Sequence, residues 1–371
     1  MYSLFFYGTL CHAPLLRLIL GREVQVRPAV LHDHAVYWAR NQKFPVLVVE
    51  TGGRAAGIIV ADLLDADIAK LDFYEGAFDY ALTEVSVHAD AGPVATMVYM
   101  PPADVWPKGA VWVLQDWVDD LAEVTLKASV EVMRGFGFVA ADVMAQRRGI
   151  IWARAQSQLR TSKRMRPEAV SAPMRREDVT VERLARPYEK FFTVEEYDFR
   201  FRRFNDAQSA HTNRAVFQVG DAVTVLPYDP VRDRVLLVEQ FRIGAYAHDD
   251  PQPWLLEPIA GIVDAGEQNE DAARREALEE AHLVLGALHF VAEYYPSPGG
   301  ISQILYSYIG IAELPDEAAS VAGLEAEQED IRGIIISFEQ LMMLLASGEA
   351  CNASLIISAQ WLAANRARLR S

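Results

Sequence analysis

Three carboxylates raise the first chemical question. Glu276, Glu279 and Glu280 stand at offsets of zero, three and four, so a helix from about Asp271 onward puts all three on one face. Ala272, Ala273, Ala277, Leu278, Ala281 and Leu283 favour that helix and supply its buried positions. Unpaired carboxylates crowded in this way repel one another. Hard divalent cations relieve the repulsion, and Mg²⁺ or Mn²⁺ suits an all-oxygen site. Gly261 and Gly266, just upstream, permit a backbone path that a side chain would obstruct. Taken alone, the run EALEE would ordinarily be a solvated acidic helix.

The wider spacing favours chemistry. Gly261 is followed by five residues, Glu267, seven residues, Arg275-Glu276-Ala277, one residue, Glu279-Glu280, one residue, then His282 and Leu283. This resembles the signature box of the Nudix hydrolases. The family pattern has glycine where this chain has His282; glycine there ends the helix in left-handed geometry, which histidine tolerates less well. Every charged position of the pattern is filled. The runs FFTVEEYDFRFRRF, LPYDPVRDRVLLVEQFRIGAY, PWLLEPIAG, YPSPGG and EQEDIRG narrow the resemblance to the ADP-ribose pyrophosphatase branch, over residues 179–371.

That resemblance implies an α/β/α sandwich that hydrolyses the diphosphate of ADP-ribose to AMP and ribose 5-phosphate with Mg²⁺ or Mn²⁺. Sugar nucleotides and dinucleotides are close alternatives as substrate. By similarity, Glu276, Glu280 and the carbonyl of Ala260 bind metal, and Glu279 is a third ligand or catalytic carboxylate. Glu267 and Arg275 pair and brace the loop against the helix, orienting the ligands. Metal-bound carboxylates are poor bases, so a base comes from elsewhere. The acidic loop 325–330 supplies Glu329, with Glu327 as the alternative. Arg242 and Arg214 contact phosphate, an aromatic residue from 192–204 stacks on adenine, and the binding strands are exchanged across a homodimer.

A second constellation lies near the start. Tyr7-Gly8-Thr9-Leu10 together with Glu75-Gly76 resembles the γ-glutamylcyclotransferase-like (AIG2-like) family, over residues 1–125. This implies a small mixed barrel whose turn offers backbone N–H groups to an anionic substrate end. Glu75 is then the general base. It takes a proton from the substrate's α-amine, which attacks the side-chain carbonyl and releases 5-oxoproline. Such a base needs a pKa tuned by burial; Phe73 and Tyr74 flank it, and Tyr80 is a candidate to hold substrate. The alternative is a fold kept without this chemistry, as a non-catalytic sensor or dimerisation module. Chains with this pairing of domains also resemble proteins labelled tellurite-resistance factors, a role no residue here gives.

The elements that must position these residues follow from periodicity and punctuation. Strands are expected at 3–7, 24–31, 46–49, 56–63, 81–88 and 95–100. Helices are expected at 13–20, 65–74 and 110–124, the last extended by 127–146. Residues 151–176, with Arg154, Arg160, Lys163, Arg164, Arg166, Arg175 and Arg176, read as a basic linker. They separate a domain at 1–150 from one at 177–371. The second domain has expected strands at 179–186, 190–204, 215–219, 222–227, 234–241, 286–295, 304–311 and 331–337, then helices at 338–347 and 353–370. The whole is an α/β (α+β) chain.

Composition sets the outer limits. A chain of 371 residues fits two domains, and 51% hydrophobic content is ample for large cores. A net charge of −16 argues against nucleic acid as the main partner. Cys11 and Cys351, far apart, suggest neither a disulfide framework nor a zinc site. The start MYSLFFYGTL lacks a basic region and a cleavage site, so it reads as a strand and not as a signal peptide. No apolar run approaches membrane-spanning length. These features lead us to expect a soluble cytoplasmic protein with a small-molecule substrate.

Overall fold

The computed structural model describes residues 1–76, 80–102, 105–316, 321–322 and 330–371. The chain forms two units, Met1–Leu159 and Arg160–Ser371.

The first unit contains β1 (Tyr2–Phe6), α1 (Ala13–Leu20), β2 (Val26–Ala39), β3 (Pro45–Leu63), α2 (Asp65–Glu75), β4 (Ala81–Ala89), β5 (Gly92–Met100), β6 (Lys108–Val111), α3 (Leu114–Arg134) and most of α4 (Ala141–Ser162). Five strands run in the order β3-β1-β5-β4-β2, and β2 pairs again with β3, which closes a barrel. The β1–β5 pair is parallel and the other pairs are antiparallel. Alternate residues such as Phe5 and Tyr7, Ala29 and Leu31 fill the barrel core, as a two-residue strand period requires.

Two differences from the expected elements have local causes. The short strands expected between 24 and 63 are two long ones. Asp33, in left-handed conformation at φ 55°, makes a bulge between His32 and His34. Its Oδ1 accepts from the N–H of Gly52 at 2.8 Å, which ties the unpaired residues 50–53 of β3 to β2, and the ladder resumes on either side, at His32–Arg54 and His34–Val49. The helix expected from 110 begins at Leu114, because Lys108–Val111 pairs with β2 as β6. α3 also ends at Gly135, short of 146, and α4 then runs through the first half of the stretch read as linker, to Ser162.

The second unit carries β7 (Val179–Glu189), β8 (Thr193–Phe201), β9 (Thr212–Gln218), β10 (Ala222–Asp229), β11 (Arg234–Phe241), α5 (Ile243–Ala247), β12 (Trp254–Glu257), β13 (Ile259–Ile262), α6 (Asn269–Ala281), β14 (Leu288–Tyr294), β15 (Ile301–Ser302), β16 (Leu305–Ile311), β17 (Val321–Ala322), β18 (Ile331–Ser337), α7 (Phe338–Ser347) and α8 (Ala353–Leu369). The main sheet runs β14-β16-β10-β11-β18-β17, and a separate sheet runs β15-β9-β8-β7. Side chains of the central strands divide by parity. Leu236 and Val238 join the core under α6, whereas Val235 and Leu237 join the core under α7 and α8. Helices on both faces explain why every residue of β10 is buried, and the result is the α/β/α sandwich.

The sheet also opens to make room for the site. β10 and β11 pair only beside their turn, at Tyr228–Val235 and Asp229–Arg234. Beyond that point β12 pairs with β11 and β13 pairs with β10. Pro258, between β12 and β13, cannot donate to a ladder, and the chain changes partner there. This split delivers Ala260 and Gly261 to α6. Among the described residues no helix is long and apolar enough to cross a membrane.

Candidate functional site

α6 buries a stripe of paired positions: Ala272 and Ala273, Glu276 and Ala277, Glu280 and Ala281. The alanines are small enough to bring the helix close to β10 and β13, which drives the two glutamates in the stripe under the sheet edge. Glu276 is 9% exposed and Glu280 3%. Glu280 Oε2 accepts from the N–H of Ala260 at 3.2 Å. The carboxylate of Glu276 lies where a Cβ on Gly261 would stand, which is why that position has no side chain. Leu278, expected in the core, is instead exposed, because it falls outside the stripe. His282 adopts the left-handed conformation at φ 53°. The turn after α6 therefore keeps the geometry that glycine would give.

The carboxylates are not unpaired, contrary to the expectation from spacing alone. Arg275 gathers them. It donates Nε to Glu267 Oε1 at 3.0 Å and Nη2 to Glu267 Oε2 at 3.1 Å. Nη1 donates to Glu276 Oε1 at 2.6 Å and to Glu279 Oε2 at 3.0 Å, and Nη2 reaches the carbonyl of Ile262 at 3.0 Å. Burial works against the charge on Arg275, but Glu267 and Glu276 outweigh it and hold its pKa well above the usual value. The expected Glu267–Arg275 brace is thus present, and the same guanidinium also separates Glu276 from Glu279. Among the described residues no three acidic, histidine or cysteine side chains converge as an ion-binding group in this arrangement. The donor set nevertheless fits a hard divalent cation. Three carboxylates (Glu267, Glu276, Glu279) share one guanidinium while Glu280 faces the Ala260 N–H, all donors are oxygen, and Glu276 and Glu280 are buried beside the Ala260–Gly261 backbone.

Arg242 stands between β11 and α5, and its Nε donates to Glu257 Oε2 at 2.9 Å. Glu257 is buried at the end of β12, and its other oxygen accepts from Asn352 Nδ2 at 2.9 Å. Asn352 in turn caps α8. Sequence reasoning gave Glu257 and Asn352 no role; the available signal was one acid inside the apolar run WLLEPIAG. Arg214 lies on β9 in the other sheet, exposed, with Nη1 on the carbonyl of Asn213 at 2.7 Å. No contact among the described residues joins it to the box. Glu327 and Glu329 lie outside the described residues.

In the first unit, Tyr7, Glu75 and Tyr80 come together. Tyr7 is buried, and its hydroxyl donates to the carbonyl of Tyr99 at 3.1 Å. Burial first, then Tyr80 and Glu75, push that hydroxyl well above the usual tyrosine range. Glu75 ends α2, and burial lifts its carboxyl to about 7, opposed by the nearby Arg148 of α4. Gly8 is required because a Cβ there would lie 2.5 Å from Pro45 Cγ. Thr9–Cys11 makes a tight turn, and the side chain of Leu10 is in the core. Position 10 therefore presents backbone only.

A split sheet with helices on both faces and a carboxylate-bearing helix under its edge makes this unit an α/β/α sandwich with an acidic site. Residues 219–357 match the family model described as "NUDIX domain", and residues 4–119 match "Gamma-glutamyl cyclotransferase, AIG2-like". The ADP-ribose pyrophosphatase of Escherichia coli strain K12 is 39% identical over 208 residues, 56% of this chain and 98% of that protein. The ADP-ribose pyrophosphatase of Haemophilus influenzae is 38% identical over 185 residues, 49% of this chain and 85% of its own. The GDP-mannose pyrophosphatase of Enterobacter sp. strain 638 is 31% identical over 174 residues, 47% and 89% of the two chains. The chain belongs to the Nudix family, and is a hydrolase carrying an AIG2-like domain ahead of its Nudix domain.

Proposed function

We propose that the second unit hydrolyses the diphosphate of ADP-ribose to AMP and ribose 5-phosphate. The observation that carries this reading is the buried pair Glu276 and Glu280 against Ala260–Gly261, in a chain so similar to ADP-ribose pyrophosphatases. Glu276, Glu280 and the Ala260 carbonyl would hold Mg²⁺ or Mn²⁺, with Glu279 as a further ligand once Arg275 yields it. The ion supplies charge neutralisation on the phosphoryl oxygens and an acidified water. Arg275 and Glu267 fix the helix against the loop that precedes it. Arg242 and Arg214 bind the diphosphate, and Glu329, or alternatively Glu327, moves the proton of the attacking water. The free thiols Cys11 and Cys351 suit a cytoplasmic chain. Exposed apolar residues on the separate sheet, Val181, Phe201 and Phe217 among them, suit a homodimer formed through it.

Incubation with ADP-ribose and Mg²⁺ tests the reading. AMP should appear, and Glu280→Gln should lower the rate by about 100-fold or more. Equal rates in the two proteins would overturn it. GDP-mannose belongs in the same screen, and release of GMP in preference to AMP would transfer the assignment to that substrate.

A second reading concerns the first unit. The carboxyl of Glu75, lifted to about 7 beside Tyr7 and Tyr80, is poised as a general base near neutral pH. It favours γ-glutamyl cyclotransfer over a purely sensory role. Release of 5-oxoproline from γ-glutamyl compounds, lost in Glu75→Gln, is the expected result.

A further inference from the structure

Arg160 lies in the last turn of α4, outside both stretches that match family models. It falls in the basic run that the sequence presents as a tether, yet it is docked. Its Nη1 is 3.1 Å from Asp221 Oδ2, and its guanidinium lies 5.6 Å from the ring centre of Tyr306. Asp221, just before β10, is only 2% exposed. Its other oxygen accepts from the N–H of Ile304 at 3.1 Å, and its main-chain carbonyl accepts from the N–H of Val263 at 3.0 Å. Val263 follows Ile262, whose carbonyl holds Arg275, and Arg275 holds Glu276 and Glu279.

We propose that Arg160 is a positioning residue for the carboxylate site, acting through Asp221 and the Ile262–Val263 backbone on Arg275 and its glutamates. The physical reason is the cost of burying a carboxylate, which the Arg160 charge offsets. Loss of Arg160 weakens that compensation, and Asp221 is drawn toward water. Its bond to Ile304 then fails, and the turn that carries its carbonyl to Val263 loses its anchor. The strand entering the box shifts relative to α6, and the glutamates lose their register with Ala260 and Gly261. Arg164 provides the contrast. It is paired with Glu293 and faces the Tyr295 ring at 5.8 Å, but among the described residues no hydrogen bond joins either partner to the box. The inference rests on the reading of Glu276 and Glu280 as holders of a divalent ion.

The test uses the full chain and Mn²⁺ alone, with binding followed by electron paramagnetic resonance and no nucleotide present. Arg160→Ala should weaken Mn²⁺ binding by about tenfold, within the range for loss of an outer support of a metal site. Arg160→Lys should restore most of it, and Arg164→Ala should bind as the parent does. Asp221→Asn keeps an oxygen for the Ile304 amide but removes the buried charge. In that background Arg160→Ala should therefore have no further effect. Parental Mn²⁺ affinity in Arg160→Ala would overturn the proposal. So would an equal loss in Arg164→Ala, or a full loss from Arg160→Ala on top of Asp221→Asn. If Arg160→Ala fails to fold, the Lys variant and the Asp221→Asn pair still decide. A parent chain that binds Mn²⁺ but leaves ADP-ribose intact removes the substrate assignment alone. A parent that binds no Mn²⁺ overturns the positioning role as well.

Discussion

A Cβ built on Gly261 would lie 1.8 Å from Oε1 of Glu276. The carboxylate and the missing side chain compete for one volume, and the backbone of β13 has ceded it. Gly261→Ala should therefore push Glu276 out of its place against the Gly261 backbone. Overpacking of this kind costs about 1–3 kcal/mol, which a thermal melt reads as a lower midpoint. Displacing a functional carboxylate by about 1 Å costs about 100-fold in rate. ADP-ribose hydrolysis should fall by that factor while the protein remains folded.

Arg242 has two duties that mutation can separate. It is the cationic partner of buried Glu257, and it is a proposed phosphate contact. Arg242→Ala leaves a carboxylate buried with, among the described residues, only Asn352 to hold it. Because Arg242 is itself partly exposed, the loss should be about 2 kcal/mol, below that for a fully buried pair. Adding Glu257→Gln should restore the melting midpoint. It should not restore the KM for ADP-ribose. Recovery of both together would mean that Arg242 acts only on stability.

What the sequence discloses depends on how far apart the partners lie. The box was readable because its acids, Arg275 and Gly261 fall within one loop and one helix, where spacing translates directly into geometry. Charge type alone did not reveal that Arg275 would occupy the gap between Glu276 and Glu279. Glu257 with Asn352, and Asp221 with Arg160, were not readable. Each pair joins residues from distant parts of the chain, and no local period marks them. The long β2–β3 ladder escaped for a related reason. Thr51-Gly52-Gly53-Arg54 has the composition of a turn, but Arg54 pairs with His32 and the bond from Gly52 to Asp33 ties the bulged residues before it to β2.

His282 is the one departure from the box pattern, and it adopts the geometry that glycine would. Its own N–H bonds the carbonyl of Leu278 at 3.1 Å, and the N–H of Leu283 bonds that of Ala277 at 3.0 Å. The cap is therefore made by the backbone, and the imidazole is exposed. A left-handed residue other than glycine costs about 1–2 kcal/mol, partly offset by the greater freedom of glycine when unfolded. His282→Gly should stabilise the protein by about 0.5–1 kcal/mol in chemical denaturation. Hydrolysis should be unchanged. A loss of stability would assign the imidazole a contact of its own.

Glu75 offers a pH test in the first unit. Its carboxyl moves from an ordinary value of 4.5 to about 7, chiefly because burial penalises the charge, with Arg148 opposing. Below 4.5 both folded and unfolded chains hold the proton, and Glu75 imposes no cost. Between 4.5 and about 7 the unfolded chain releases its proton first, so stability falls as pH rises, and the full cost is present above about 7. Glu75→Gln should therefore melt higher than the parent above neutral pH, with the difference shrinking toward pH 4.5. Arg148→Met removes the opposing cation, so the Glu75 midpoint should move above 7. Carbon-detected NMR of the carboxyl would read it directly. Where 5-oxoproline is formed, the rising limb of the rate profile should shift upward with it, since the base must be unprotonated to accept the amine's proton. A limb that stays in place while the NMR midpoint moves would separate Glu75 from the chemistry.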